Sequence, residues 1–172
     1  KLEVFKRFYN IFNKYTIYVV ADNVCDETYN FLLKYINNDK IFRTQLSNAG
    51  AFMYAVNYSL NNFDINEIVY FAEDDYLYTE NADKIILEGL QVGDYSSGYD
   101  HLDKYKNHSD GGPNPYIKGG GGITRVILTE NRHWKITNSC CMTFAVKLKI
   151  LKEDLSIINK YCGGKHPYDF EM

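Results

Sequence analysis

The chain has 172 residues, of which 45% are hydrophobic and 24% charged, and its formal net charge is −3. This length and composition predict one globular domain with a buried core, and they exclude general disorder. The acidic balance argues against electrostatic binding of nucleic acid, and no apolar run approaches the roughly 20 residues needed to span a bilayer. The four cysteines form no CxxC pair, so we expect reduced thiols in an intracellular protein.

Helical patterns alternate with β-branched and aromatic runs through the first half of the chain. The spacing predicts a helix over residues 2–13, a strand over 15–23, a helix over 26–38, a strand over 40–46, a helix over 47–62, a strand from residue 68 and a short helix over 81–90. This alternation is typical of an α/β domain with a parallel sheet.

The second half has a different character. Residues 99–122 are polar and glycine-rich, and loops of that length in compact domains are usually functional or mobile. Two alternating segments, 123–130 and 133–146, predict an antiparallel hairpin, and residues 149–161 predict a final helix. No linker separates the halves, so residues 1–172 are predicted to form a single domain.

The segment "IVYFAEDDYLY" over residues 68–78 carries an apolar strand directly into three carboxylates. Ligands of open parallel sheets bind beyond the carboxyl ends of the strands, so Glu73, Asp74 and Asp75 are expected at that edge. In an extended segment Glu73 and Asp75 would project together while Asp74 faces the other way. Such oxygen ligands suit Mg²⁺ or Mn²⁺. A solvated acidic turn that only ends the strand is the alternative.

Several segments, in the expected order, resemble nucleotide-sugar glycosyltransferases with the GT-A fold. "YFAEDDYLY" resembles the DxD region of that family, "TIYVVADN" its second strand, and "SNAGAFMYAVNYSL" the NxGxxxAxN helix under the nucleotide. "NSCCMTFAVKLKIL" resembles the strand and helix after the DxD region, and "HPYDFEM" the acidic helix start that often supplies the base. The likeness spans most of the chain and is strongest to small domains of large algal DNA viruses, which glycosylate the capsid protein.

The resemblance implies a GT-A-like fold with a mostly parallel central sheet flanked by helices and a small antiparallel β element in the second half. Residues 1–98 would bind the nucleotide and residues 99–172 the sugar and the acceptor. Two features depart from the family: Glu73 stands at the first DxD position, and the first nucleotide-binding strand, expected before the opening helix, is absent. We therefore expect the chain to be part of a larger multidomain protein.

The resemblance also implies roles for individual residues. Asp75 would ligate the Mn²⁺ or Mg²⁺ that bridges the two phosphates, and Glu73 would lie at the ribose or reach the metal through water. The other nucleotide contacts would be Asp22 near the base, Asn48 and Gly50 along the nucleotide, and Asp74 beside the metal ligands. Glycine at position 50 allows close approach of the backbone to a ligand.

Transfer also requires a base and a sugar site. Asp169 is the candidate base, ahead of Glu171, although an aspartate there could simply cap a helix. Four side chains are weaker candidates for substrate contacts, and each could equally be a solvated or core residue: Asp100, His101, Trp134 and His166. The glycine run over residues 119–122 suits a lid over the donor.

The predicted function is metal-dependent transfer of a sugar from a nucleotide-diphosphate donor, in the first instance a UDP-sugar, to a hydroxyl of a glycan or glycoprotein, with inversion. The expected location is the cytoplasm, that of the host cell if the protein is viral. Two alternatives remain: a non-catalytic nucleotide- or sugar-binding module, and a metal-dependent phosphoesterase or nuclease. A Rossmann dehydrogenase is disfavoured because no GxGxxG follows the first strand.

Overall fold

The computed structural model describes residues 1–113, 115, 125–137, 139, 141–168 and 172. The helices in this part of the chain are α1 (Leu2–Phe12), α2 (Asp26–Leu32), α3 (Asn48–Asn62), α4 (Ala82–Gly89), α5 (Leu148–Glu153) and α6 (Leu155–Tyr161). The strands are β1 (Val19–Asp22), β2 (Ile41–Thr44), β3 (Ile68–Phe71), β4 (Tyr95–Ser96), β5 (Val126–Leu128), β6 (His133–Lys135) and β7 (Phe144–Lys147). Short 3-10 turns lie at Asn38–Lys40, Leu102–Lys104 and His108–Asp110.

The predicted elements of the first half are confirmed with shorter bounds, and those of the second half are rearranged. β5 and β6 form the predicted antiparallel hairpin, but the hairpin ends at Lys135 and the apolar residues that follow form the separate strand β7. The predicted final helix is two helices, α5 and α6. They meet at Asp154, whose carboxylate accepts a hydrogen bond of 2.7 Å from the Tyr95 hydroxyl.

The strands form three small sheets. β1 and β2 are parallel, whereas β7 lies between β3 and β4 and is antiparallel to both. The chain is therefore mixed α/β, as predicted, but the described residues do not form the mostly parallel central sheet that we expected. The difference arises at β7, where Phe144, Ala145 and Val146 are all at most 1% exposed and so occupy the centre of a sheet.

Helices α1 and α3 cover opposite faces of the three-stranded sheet. Neighbouring residues of a strand point to opposite faces, and in β3 Tyr70 stacks on Phe12 of α1 while Phe71 meets Phe52 of α3. The α3 side holds the main core, which includes Val56, Phe144, Val146, Leu148 and Leu151. The α1 side also contains Ala82 and Ile86 of α4.

The same two helices also cover the parallel pair. Phe5 and Tyr9 of α1 pack against the cluster that contains Ala21 of β1, and Tyr58 of α3 lies 4.6 Å from Phe42 of β2 between ring centroids. The two sheets therefore share one layer between α1 and α3. Among the described residues, β1 pairs only with β2, and β3 pairs only with β7.

In the part of the chain that the structure describes, no helix combines the length and the apolar character needed to cross a membrane.

Candidate functional site

Asp22, the last residue of β1, fixes the loop that leads into α3. Its Oδ1 accepts hydrogen bonds from the Thr44 hydroxyl at 2.9 Å and the Leu46 backbone N–H at 2.6 Å. Its Oδ2 accepts from the Asn23 side chain at 2.8 Å and the Ser47 backbone N–H at 3.1 Å. Burial alone would raise the pKa of Asp22, but these hydrogen bonds outweigh it and hold the pKa below its usual value.

This loop is tightly constrained where it enters α3. Ser47 has a φ of 80°, which is uncommon for a residue other than glycine, and the Asp22 carboxylate holds its N–H. A Cβ on Gly50 would lie 2.8 Å from the Leu46 Cβ, so this position in the first turn of α3 requires glycine. The role predicted for Gly50, close approach to a nucleotide, stays a prediction. The structure supplies an additional reason for the glycine, which is packing inside the protein.

The acidic segment follows β3 and turns away from the strand direction. β3 ends at Phe71, and Asp74 and Asp75 lie in a turn. The side chains of an extended segment alternate between two faces, but this segment is not extended at Asp74 and Asp75. The prediction that Glu73 and Asp75 project together therefore loses its basis. Glu73 is half-buried, whereas Asp74 and Asp75 are exposed. We call residues 73–75 the acidic turn. Because Phe71 meets Phe52 near the start of α3, the acidic turn lies at the edge of the layer where α3 begins.

The acidic turn generates a local negative field. Lys1 Nζ lies 2.8 Å from Asp74 Oδ1; that hydrogen bond, together with the charges of Asp75 and Glu73, raises the pKa of Lys1. Burial raises the pKa of Tyr76, and Cys141, Glu73 and Asp75 raise it further. The Lys1 ammonium is thus a cation that pairs with a carboxylate of the acidic turn. Lys1 and Asp74 are both more than half exposed, so the pair itself stabilises the fold by at most about 1 kcal/mol.

One wall of the acidic turn comes from residues that the sequence analysis missed. The Glu73 backbone N–H donates to Thr143 Oγ1 at 3.2 Å, and Ser97 Oγ donates to the Thr143 carbonyl at 2.6 Å. Thr143 follows two residues with positive φ, Cys141 at 47° and Met142 at 54°. Non-glycine residues in this conformation store strain that is common at functional sites. No sequence pattern marks this turn, because its neighbours are distant in the chain.

Aromatic contacts extend this wall toward His101. Tyr76 and Tyr99 meet edge to face with ring centroids 5.6 Å apart, and the rings of Tyr99 and His101 stack at 5.6 Å. His101 Nδ1 lies 3.2 Å from Asp103 Oδ1. His101 is thus connected to the acidic turn through Tyr76 and Tyr99, and its predicted role at the sugar side of the cleft stays a prediction.

Two other candidates from the second half, Trp134 and Asp100, lie at a separate cavity of 260 Å³. Trp134 lines this cavity, and Asp100 reaches its border through the hydroxyl of Tyr105. The hydrogen bond to Asp100 raises the pKa of Tyr105. Trp134 is half-buried, with its ring edge close to Gly89 of α4, so it is partly a core residue and partly a cavity wall.

The C-terminal segment passes the start of α3. The Ala49 backbone N–H donates to the Lys165 carbonyl at 3.2 Å, which puts exposed His166 near Asn48, whose side chain is also exposed. Asp169 and Glu171, the candidate bases, lie outside the described residues, as does the predicted glycine lid over residues 119–122.

The acidic turn suits a metal that takes few ligands from the protein. Carboxylate oxygens are the donors that Mg²⁺ and Mn²⁺ prefer, and Mg²⁺ is usually held by one or two carboxylates together with water and phosphate. Among the described residues, no group of three or more His, Cys, Asp and Glu side chains could hold a metal ion. An ion held by Glu73 and Asp75 alone would need its remaining ligands from water or from a bound phosphate group.

Comparisons of the chain with protein-family models, with curated proteins and with solved structures found no match. Function is therefore inferred from the chain's own residues and from the resemblance of its sequence motifs described above. The structure brings Asp22, Asn48, Gly50 and His166 to the start of α3. Thr143, Tyr76 and Tyr99 lie between the acidic turn and His101, whereas Trp134 and Asp100 lie at the separate cavity.

Proposed function

We propose that this chain is a glycosyltransferase domain of the GT-A type that binds a nucleotide-diphosphate sugar at the acidic turn. The observation that carries the proposal is the position of Glu73 and Asp75, directly beyond β3 at the edge where α3 begins. Binding beyond the carboxyl ends of the strands is the general rule for open parallel α/β sheets, and it would apply to β3 once a further strand joins β1 and β3 in one sheet.

The arrangement of the sheets is compatible with this fold. β1 and β3 lie in one layer, and each pairs on one side only among the described residues. A strand inserted between them would join both sheets into one. The first nucleotide-binding strand of the GT-A fold, which the sequence analysis found lacking, would occupy that place. This strand and the larger multidomain chain remain part of the proposal.

The residues of the acidic turn would hold Mn²⁺ or Mg²⁺ with the diphosphate. When bound, such an ion neutralises the charge that develops on the departing nucleotide diphosphate. Asp75 is exposed and so available to a ligand from solution, and the Glu73 backbone is fixed by its bond to Thr143. Asp74 would hold Lys1 close to the site, where the ammonium adds positive charge next to the phosphates.

The remaining candidates act on the substrates. The loop held by Asp22 would position Asn48 and Gly50 along the nucleotide, and His101 would reach the donor sugar from the Tyr76–Tyr99 wall. Asp169 would take the proton from the acceptor hydroxyl while the hydroxyl oxygen bonds to the anomeric carbon and the nucleotide diphosphate leaves from the opposite face. This single displacement inverts the configuration. The likeness to the viral domains suggests a UDP-sugar as donor, a capsid glycan or glycoprotein as acceptor and the host cytoplasm as location.

The two alternatives make different demands. A phosphoesterase or nuclease needs a further cluster of metal ligands around its ions. A non-catalytic module would need only the binding surfaces, and the cavity beside Trp134 is compatible with that reading. Metal-dependent nucleotide binding followed by transfer of the sugar to an acceptor hydroxyl separates the transferase from both.

Calorimetric titration with UDP, in Mn²⁺ and in EDTA, tests the proposal. We expect saturable UDP binding that requires Mn²⁺ in the wild-type chain and is lost in Asp75→Asn. Asp39→Asn is the matched control, since Asp39 is an exposed aspartate on the 3-10 turn Asn38–Lys40. Equal UDP affinity with and without metal, or equal behaviour of the two variants, would overturn the proposed metal site.

A further inference from the structure

The cavity beside Trp134 has a positively charged lining. Its 260 Å³ is bordered by four basic side chains and two aromatic rings, those of Lys104, Arg125, His133, Lys135, Tyr105 and Trp134. Lys104 comes from the 3-10 turn Leu102–Lys104, and Arg125, His133 and Lys135 come from the β5–β6 hairpin and the residue before it. Among the described residues that line the cavity, none is a carboxylate.

Lys104 is the most informative of these side chains. It is only 4% exposed, and its nearest carboxylate oxygen, Asp103 Oδ1, is 3.8 Å from Nζ. That distance is too long for a hydrogen bond, and within the described residues Asp103 Oδ1 makes none. Nζ also lies 5.7 Å from the centre of the Tyr99 ring. Removing an ammonium from water costs several kcal/mol unless close partners compensate, so this buried charge is incompletely compensated.

The other charges around the cavity do not cancel its positive character. The Arg125 side chain is exposed, and it makes no hydrogen bond or ion pair with residues in the described part of the chain. Lys135 Nζ lies 5.7 Å from the centre of the Tyr105 ring. Two carboxylates are near: Asp103 lies behind Lys104, and Asp100 lies beside the Tyr105 hydroxyl. Neither belongs to the lining, which contains the basic side chains of Lys104, Arg125 and Lys135.

Trp134 gives the cavity a fixed flat wall. Its Nε1 donates to Thr129 Oγ1 at 2.9 Å, and Thr129 in turn donates to Glu88 of α4 at 2.5 Å. The Asn131 backbone N–H donates to the same Glu88 oxygen at 2.8 Å, which fastens the hairpin to α4. An indole held in this way can stack against the apolar face of a ring without losing further conformational freedom.

We propose that this cavity binds an acidic sugar, a pyranose ring that carries a carboxylate, sulfate or phosphate group. The ring stacks on Trp134, and the anion is held by Lys104 and Arg125, where it supplies the close partner that Lys104 lacks. The cavity is slightly smaller than the roughly 300–1,000 Å³ of typical small-molecule sites, which suits one ring rather than an extended ligand. The site does not depend on metal binding or on sugar transfer.

Fluorescence of Trp134 reports this binding directly, because it is the only tryptophan of the chain. We would titrate the protein with glucuronate, glucose 6-sulfate and glucose 6-phosphate, and compare these with glucose and with inorganic phosphate alone. We expect a saturable change in emission with the acidic sugars and at least about tenfold weaker binding of glucose. Glucose lacks the anion, and the hydrogen bonds that a charged group makes contribute more free energy than a tenfold change in affinity requires.

Two variants locate the anion. Arg125→Gln should weaken the binding of the acidic sugars by about tenfold and leave the weak binding of glucose unchanged. Arg132→Gln is the matched control, since Arg132 is an exposed arginine of the same hairpin outside the cavity lining. Lys104→Met should have a larger effect; if it fails to fold, Arg125→Gln still decides the question.

Three results would overturn the proposal. These are equal binding of glucose and glucuronate, equal effects of the Arg125 and Arg132 substitutions, and a response to inorganic phosphate as strong as that to the acidic sugars. UDP binding in Mn²⁺ serves as an independent reference. A chain that binds UDP but no acidic sugar refutes this inference alone, and the reverse result refutes only the proposed transferase site.

Discussion

Replacement of Asp22 by asparagine tests the link between β1 and the start of α3. In Asp22→Asn, an amide NH₂ replaces Oδ2, the oxygen that accepts hydrogen bonds from the Ser47 N–H and the Asn23 side chain. The half-buried Ser47 N–H would then face another donor, whereas the exposed Asn23 side chain can turn to water. The two bonds to Oδ1, from Thr44 and Leu46, would remain, but to a neutral acceptor.

The expected loss of stability follows from these changes. An unsatisfied buried N–H costs about 1–3 kcal/mol, and a hydrogen bond to a neutral acceptor is worth roughly 1 kcal/mol less than one to a charged acceptor. Because Asp22 is only partly buried, we expect a loss of about 3 kcal/mol in the free energy of unfolding. For a chain of this size that corresponds to a fall of about 6–12 °C in Tm.

The pH dependence provides a second readout. The pKa of Asp22 is lower in the folded chain than in the unfolded one, so its contribution is complete above the unfolded pKa of about 4 and is lost as the pH falls through the folded value. The stability difference between wild type and Asp22→Asn should therefore be constant from about pH 5 upwards and narrow below about pH 4.

Urea unfolding followed by circular dichroism measures both effects, with Asp39→Asn as the control at an exposed aspartate. A difference between Asp22→Asn and Asp39→Asn of less than about 0.5 kcal/mol would refute the structural role of Asp22, because ordinary surface substitutions fall within that range. A stability difference that does not change between pH 3 and pH 7 would refute the assignment of a charged acceptor.

Two further predictions concern packing and catalysis. A Cβ on Gly89 would lie 2.2 Å from Ser96 Oγ and 2.8 Å from ring carbons of Trp134. We therefore expect Gly89→Ala to cost about 1–3 kcal/mol and to shift Trp134 emission, whereas Gly98→Ala, with open space around its Cβ, should change neither; equal melting curves for the two variants would contradict this packing. Asp169→Ala should keep Mn²⁺-dependent UDP binding and abolish transfer to an acceptor, and unchanged turnover would remove Asp169 as the base.

The sequence predicted the order of elements well where local patterns determine them. The apolar side chains of α1 are spaced so that they lie on one side of the helix, where they pack against β1 and β3. This spacing, and the β-branched runs of the two strands, can be recognised from the sequence. β7 was misplaced for a physical reason. Its run of Phe144, Ala145 and Val146 is apolar on both faces, and such a run does not reveal whether it pairs locally or enters the centre of a distant sheet.

The candidate site shows the same division. Asp22 and Glu73 follow the ends of predicted strands, and that location could be predicted. Their partners could not, because Asp22 bonds to a loop more than 20 residues away and the Glu73 N–H bonds to Thr143, 70 residues away. The basic side chains of the cavity beside Trp134 were missed in the same way. Trp134 was recognised by its residue type, but the buried Lys104 beside it comes from another segment.

The most direct test of the metal site is to locate the ion on the protein. Mn²⁺ is paramagnetic, so it broadens the NMR signals of nearby nuclei. With UDP present, substoichiometric Mn²⁺ should broaden the amide signals of residues 72–76 and of Thr143 in the wild-type chain, and this broadening should disappear in Asp75→Asn. The adjacent exposed carboxylates of Asp26 and Glu27 serve as the internal control for weak surface binding. Sharp signals at residues 72–76 under conditions where UDP is bound, or equal broadening around Asp26, would contradict the proposed site.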